Sequence, residues 1–171
     1  RAWTPEVFAQ RVEAEWEHLK DGPATLNGSE IERVKSFFTA PDYLSVDSAA
    51  VDAELQSQAA EHKAFSRWLD RNVRAQKQSG YASITLSLKP AGVAPGDVTD
   101  RQLDIIADLA DRYSFGEIRT THNQNIVLAD VLKTELFELW QQAKEAGLAT
   151  PNIGTINDMI CCPGGDYCSL A

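Results

Sequence analysis

With 171 residues, 43% of them apolar and 24% charged, the chain is long enough to bury a sizeable core and has the make-up of a globular protein. Its formal net charge of −9 leaves no basic stripe to displace counterions, which argues against nucleic acid as a partner. No apolar run reaches the 18 residues of a membrane span, so no membrane-crossing segment is expected.

The chain starts at Arg1 with no targeting sequence behind it, so a cytoplasmic protein is expected, and it reads as a piece cut at both ends. Thr4, Pro5 and Glu6 form a helix start: an N-cap, a proline at the first helical position and an acid at the positive end of the dipole. Phe8, Val12, Trp16 and Leu19 follow at helical spacing, an apolar stripe that needs a partner, and Asp21-Gly22-Pro23 stops the helix. Ser29 with Glu32 reads as a capping box opening a short second helix with Ile31, Val34, Phe37 and Phe38. From Ser48 to about Gln78 the pattern is again helical, as one long helix or two broken near Glu61 to Lys63. His18 and His62 lack ligand-like partners at motif spacing.

At Gly80 the period changes from 3.6 to 2. Ala82, Ile84, Leu86 and Leu88 alternate with Ser83, Thr85 and Ser87, which predicts a half-buried strand. A Pro/Gly loop over 89–98 leads to Thr99 and Gln102, a second capping box, and to a helix with Leu103, Ile106, Ala107 and Ala110 inward. Short strands over 117–121 and 125–129 flank the polar turn His122-Asn123-Gln124, and a last helix over about 132–146 buries Leu136, Leu139, Trp140 and Ala143 before Gly147. The order strand, helix, strand, strand, helix predicts an α+β fold: an N-terminal helical segment followed by a ferredoxin-like α/β sandwich half-domain. The expected division is a helical arm over 1–79, the half-domain over 80–149, and the start of a further domain over 150–171.

All three cysteines, Cys161, Cys162 and Cys168, lie in one Gly/Pro-rich stretch near the end. Thiolates on a turn that glycines allow to curl are what a metal or iron-sulfur centre requires. Adjacent side chains diverge, so Cys161 and Cys162 are not expected to serve one centre together. A disulfide between Cys162 and Cys168, a zinc site and three inert buried cysteines stand as alternatives, although a disulfide suits a secreted protein and the short ligand spacings of zinc are absent.

The residues from Gly80-Tyr81 to Lys89, the run from Ile118 to Leu128 with its Arg119-x-Thr121-x-Asn123-Gln124-Asn125 pattern, and Cys162-x5-Cys168 together resemble the siroheme-dependent nitrite and sulfite reductases. The likeness extends over about 64–171 and takes in Phe65, Trp68, Leu69, Asn72 and Val73. It implies a fragment of an enzyme that reduces a small oxyanion by six electrons, sulfite to sulfide or nitrite to ammonia, with a 4Fe-4S cluster and siroheme in the full-length protein and neither in this piece. Cys162 and Cys168 would be two of four cluster ligands, the others coming from a Cys-x3-Cys further on. Cys161 matches no ligand and is expected to be a small buried residue.

The pattern departs from the family at Asp166-Tyr167, where a Pro-Thr pair is usual. On the siroheme side the candidates are Arg119, Gln124 and Asn125, and no catalytic residue is expected here. For Arg119 an ordinary ion pair with Glu117 is the competing role, for Gln124 and Asn125 a self-satisfied turn, and for His122 a place in solvent. The implied partners are the remainder of the polypeptide and an electron donor, ferredoxin or a flavoprotein. The contrasting expectation is a non-enzymatic α/β protein-interaction module whose cysteines are incidental.

Overall fold

The computed structural model describes residues 3–162, 164–166 and 168–170. The chain forms two compact units, Arg1–Asp42 and Tyr43–Ala171.

In the first unit, helix α1 spans Pro5–Leu19, with the Thr4 hydroxyl accepting from the Val7 amide as its composition predicts. Helix α2 spans Gly28–Lys35 and begins earlier than Ser29. Asn27 is its N-cap: Oδ1 accepts from the Glu30 amide at 2.8 Å and from the Ser29 hydroxyl at 2.6 Å. The asparagine, two residues before Ser29, therefore satisfies the Glu30 amide, which a cap at Ser29 would have left without a partner. Neither helix has a buried residue, and Phe8, Val12, Trp16 and Leu19 of α1 are all exposed.

The second unit opens with α3, Ser48–Glu61, capped by Asp47, and α4, Lys63–Asn72. His62 breaks the two apart with a non-helical backbone (φ −124, ψ 87). The helical pattern was expected to run to about Gln78, but α4 stops at Asn72 and the chain extends at once into strand β1, Val73–Ala75. A short strand preceded by charged residues has too few positions to show a period of 2 against helical neighbours. β1 pairs antiparallel with β2, Tyr81–Leu86, which pairs with β4, Ile126–Leu132, which pairs with β3, Arg119–Thr120. The sheet order is β1-β2-β4-β3. Helix α5, Asp100–Tyr113, joins β2 to β3, and α6, Leu136–Glu145, follows β4 after a 3-10 turn over Lys133–Glu135.

Phe65 and Trp68 of α4, Ile106, Leu109, Ala110 and Tyr113 of α5, and Leu136, Leu139, Trp140 and Ala143 of α6 share one core with Ala82, Ile84, Leu86, Ile126, Leu128 and Val131 of the sheet. Helices and an antiparallel sheet burying a common apolar layer make an α+β sandwich. The capping box of α5 forms as expected, with Thr99 and Gln102 bonded reciprocally. Its inner face, however, lies one turn further along: Leu103 and Ala107 are exposed, while Leu109 and Tyr113 are buried. Tyr113 can enter the core because its hydroxyl accepts from Nε2 of Gln142 at 2.7 Å, leaving no orphaned polar group.

The register shifts between Ala82 and Ile84, a bulge beside the buried Asp130. Asp130 Oδ1 accepts from the Tyr43 hydroxyl at 2.7 Å and from Nε2 of Gln76 at 2.5 Å. Tyr43 also packs edge-on to Tyr81 and Phe115, whose rings lie 4.9 and 5.8 Å away.

Candidate functional site

β3 and β4 are joined by a tight turn whose hydrogen bonds are internal. Thr121 N donates to Asn125 O, Gln124 N donates to Thr121 O, and the Thr121 hydroxyl accepts from Asn125 N, all at 3.1 Å. Gln124 takes a left-handed backbone here (φ 55), uncommon for a residue with a side chain. His122 and Asn123 point into solvent.

Arg119 lies on the edge strand, exposed, and its Nε donates to Oε1 of Glu117. That hydrogen bond, reinforced by the negative charges of Glu117 and Asp130, holds the guanidinium above its ordinary pKa despite the opposing cost of desolvation. The competing role considered for Arg119, an ion pair with Glu117, is thus realised in this structure. A guanidinium so placed keeps donors free for a second anion.

Gln124 and Asn125 both reach the segment that carries the cysteines. Gln124 Nε2 donates to the carbonyl of Cys161 at 2.6 Å, and Gln124 Oε1 accepts from the Cys161 amide at 2.8 Å. One side-chain amide therefore satisfies both backbone groups of a single residue. Asn125 is buried; its Oδ1 accepts from Leu88 N at 3.2 Å and its Nδ2 donates to Asp158 Oδ1 at 2.9 Å.

Asp158 is the centre of a polar knot that sequence reasoning did not identify. Lys89 Nζ lies 2.7 Å from its Oδ1 and 2.9 Å from its backbone carbonyl, and both side chains are nearly inaccessible, at 2% and 6% exposure. The Gly154 amide donates to Oδ2 at 2.9 Å. Burial pushes the Asp158 carboxyl upward, but the hydrogen bonds from Gly154, Lys89 and Asn125 outweigh it and hold the group below its ordinary pKa. Asn152, also buried, donates to Lys89 O at 2.9 Å, and Asn72 donates to the carbonyls of Thr85 and Thr150 at 2.9 and 3.1 Å. The stretch over 150–158 is thereby fastened to the sheet. The available signal was a lysine ending an apolar strand and an aspartate just before the cysteines, residues whose types fit solvent equally well.

Cys161 and Cys162 are exposed and Cys168 is half-buried, and all three are free thiols. The expected burial of Cys161 does not occur: its side chain is exposed, while its backbone N–H and C=O are bonded to Gln124. No disulfide joins Cys162 to Cys168. Between them Gly164–Asp166 form a 3-10 turn, and Cys168 N donates to Gly164 O at 3.0 Å, so the loop curls back on itself as glycine permits. Among the described residues no three His, Cys, Asp or Glu side chains converge as a metal set. Two thiols on one curled segment are chemically suited to half of a cluster's ligands. Pro163, Tyr167 and Ala171 lie outside the described residues, including Tyr167 of the pair that departs from the family pattern.

The β-β-α-β-β-α order on one antiparallel sheet, β1 being the strand added to the expected order, defines this unit as a ferredoxin-like α+β half domain. Residues 74–146 match the family described as nitrite/sulfite reductase ferredoxin-like half domain. Among curated proteins it is similar to ferredoxin–nitrite reductases. The chloroplastic protein of Betula pendula is 30% identical over 123 residues, 69% of this chain and 20% of that protein. The Synechococcus elongatus protein is 28% identical over 129 residues, 75% of this chain and 24% of that protein. The chloroplastic protein of Zea mays is 28% identical over 131 residues, 74% and 22% respectively. The chain thus spans about a fifth of the length of the relatives it matches.

Proposed function

We propose that this chain is part of a siroheme- and 4Fe-4S-dependent reductase that takes a small oxyanion, nitrite or sulfite, through a six-electron reduction to ammonia or sulfide. The observation that carries the reading is the continuity of a nitrite/sulfite reductase half domain with a segment presenting two free thiols, Cys162 and Cys168, at Cys-x5-Cys spacing. The similar proteins are ferredoxin–nitrite reductases, which supports ferredoxin as the electron donor over a flavoprotein and nitrite over sulfite.

In this reading Cys162 and Cys168 supply two of four cluster thiolates, and the rest of the polypeptide supplies the other two. When bound, the cluster and siroheme supply electrons one at a time to the oxyanion. The chain's own contribution is to hold two sulfurs on a fixed segment and to offer a cation, Arg119, exposed on the edge strand β3, which would pair with a tetrapyrrole carboxylate. Gln124 and Asn125, the other two residues implied on the siroheme side, act in this reading by holding the cysteine segment at Cys161 and Asp158, and the protein is read as cytoplasmic. Ile156, Met159, Ile160 and Leu170 are exposed around the thiols, a surface that suits cover by the remaining polypeptide.

The test is to express the full-length polypeptide anaerobically with siroheme and compare it with its C162S and C168S variants. The expected result is a cluster absorption and EPR signature, with nitrite- or sulfite-dependent oxidation of a viologen reductant, lost in both variants. The 171-residue chain alone is expected to show no turnover. A full-length protein whose cluster survives both substitutions would overturn the assignment.

A further inference from the structure

The cysteine segment sits next to the half domain through a contact of unusual economy. Gln124 is 37 positions before Cys161, yet its amide group meets both the N–H and the C=O of that residue, at 2.8 and 2.6 Å. This is the pairing one strand residue offers another, supplied here by a side chain. A shift of the segment by one residue would replace Cys161 by Ile160 or Cys162 at the clamp and so change where the following sulfur is presented.

Gln124 is itself held in place from three sides. Its backbone is fixed in the left-handed region by the turn (φ 55). Gly96 approaches so closely that a Cβ there would lie 3.0 Å from Gln124 Cβ. The next residue, Asn125, is anchored to Asp158 and, through Leu88 N, to the chain leaving β2. The segment is thus gripped twice before Cys162, at Asp158 by the buried knot and at Cys161 by Gln124. Between these points Met159 and Ile160 are exposed.

We propose that Gln124 is a positioning residue: through Cys161, which is no ligand, it sets the register in which the sulfur of Cys162 is presented, so that loss of its amide weakens cluster retention without unfolding the half domain. The consequence for the cluster rests on the reading given under Proposed function; the clamp itself does not.

The experiment has two arms. In the 171-residue chain, residue-resolved hydrogen exchange is compared for the wild type, Gln124→Ala and Gln124→Glu. The Cys161 amide is expected to exchange roughly fivefold faster in Q124A, the factor that corresponds to loss of a hydrogen bond of about 1 kcal/mol, while the amides of Ile84 and Leu128 in the sheet are unchanged. Q124E, which retains the acceptor but not the donor, is expected to fall between. In the full-length reductase, iron release to a chelator is expected to be several-fold faster in Q124A than in the wild type, again with Q124E between.

An unchanged Cys161 exchange rate in Q124A would overturn the clamp. Equal iron release from Q124A and wild type would overturn its link to the cluster. If the full-length wild type binds no cluster, the functional reading falls while the exchange arm still decides the clamp.

Discussion

The ammonium of Lys89 lies 2.7 Å from Oδ1 of Asp158, 69 residues further along the chain, with both side chains almost wholly withdrawn from water. The pair joins the end of β2 to the segment leading into the cysteines. Breaking a buried pair leaves an uncompensated charge, at a cost of about 3–5 kcal/mol. Lys89→Met is therefore expected to lower the stability of the 171-residue chain by that order, measured by urea unfolding. Adding Asp158→Leu is expected to recover only part of the loss, because the Gly154 and Asn125 donors then lack their acceptor.

The same carboxylate makes stability depend on pH. Asp158 is held below its ordinary pKa in the folded chain, so its contribution is fully present above the unfolded value of about 3.9 and is lost as pH falls through the folded value. Between about pH 5 and 3 the wild type is expected to lose urea stability more steeply than Asp158→Asn. Parallel pH profiles for the two proteins would contradict the assignment.

Gly80 has φ +83, and a Cβ added there would lie 2.1 Å from Cγ2 of Val46. Backbone and packing both require glycine at the entry to β2. Gly80→Ala is expected to destabilise the chain by more than about 1 kcal/mol, the strain of placing a side chain in the left-handed region. The added substitution Val46→Ala is expected to relieve the clash and leave the backbone cost, which thermal unfolding of the three proteins would separate.

Cys161 and Cys162 are exposed and Cys168 is half-buried. Titration of the folded chain with an aromatic disulfide is expected to show two thiols reacting rapidly and a third more slowly, all three reacting at one rate in denaturant. A titre of one in the native, unreduced protein would mean that two had become bridged.

The elements of this protein were largely legible in order because their signals are local. The alternation over Ala82 to Leu88, the Thr99 and Gln102 box, and the stripe of Leu136, Leu139, Trp140 and Ala143 each write a period or a cap within a few residues. Where prediction slipped, a nearby competitor won. Asn27 captured the cap expected of Ser29, a three-residue β1 hid at the end of α4, and Tyr113 drew the buried face of α5 one turn along.

By itself the sequence determined the α+β order, the likeness to the reductase half domain, and the gathering of three thiols on one Gly-rich stretch, since each depends on residue type and short spacing. Only the tertiary structure decided that Gln124 holds Cys161, that Lys89 neutralises Asp158, and that Cys161 faces out. Those partners stand 37 and 69 residues apart. Whether a lysine or a glutamine finds a buried partner or water depends on which strand ends and loops the packed core brings together, and no local pattern records that.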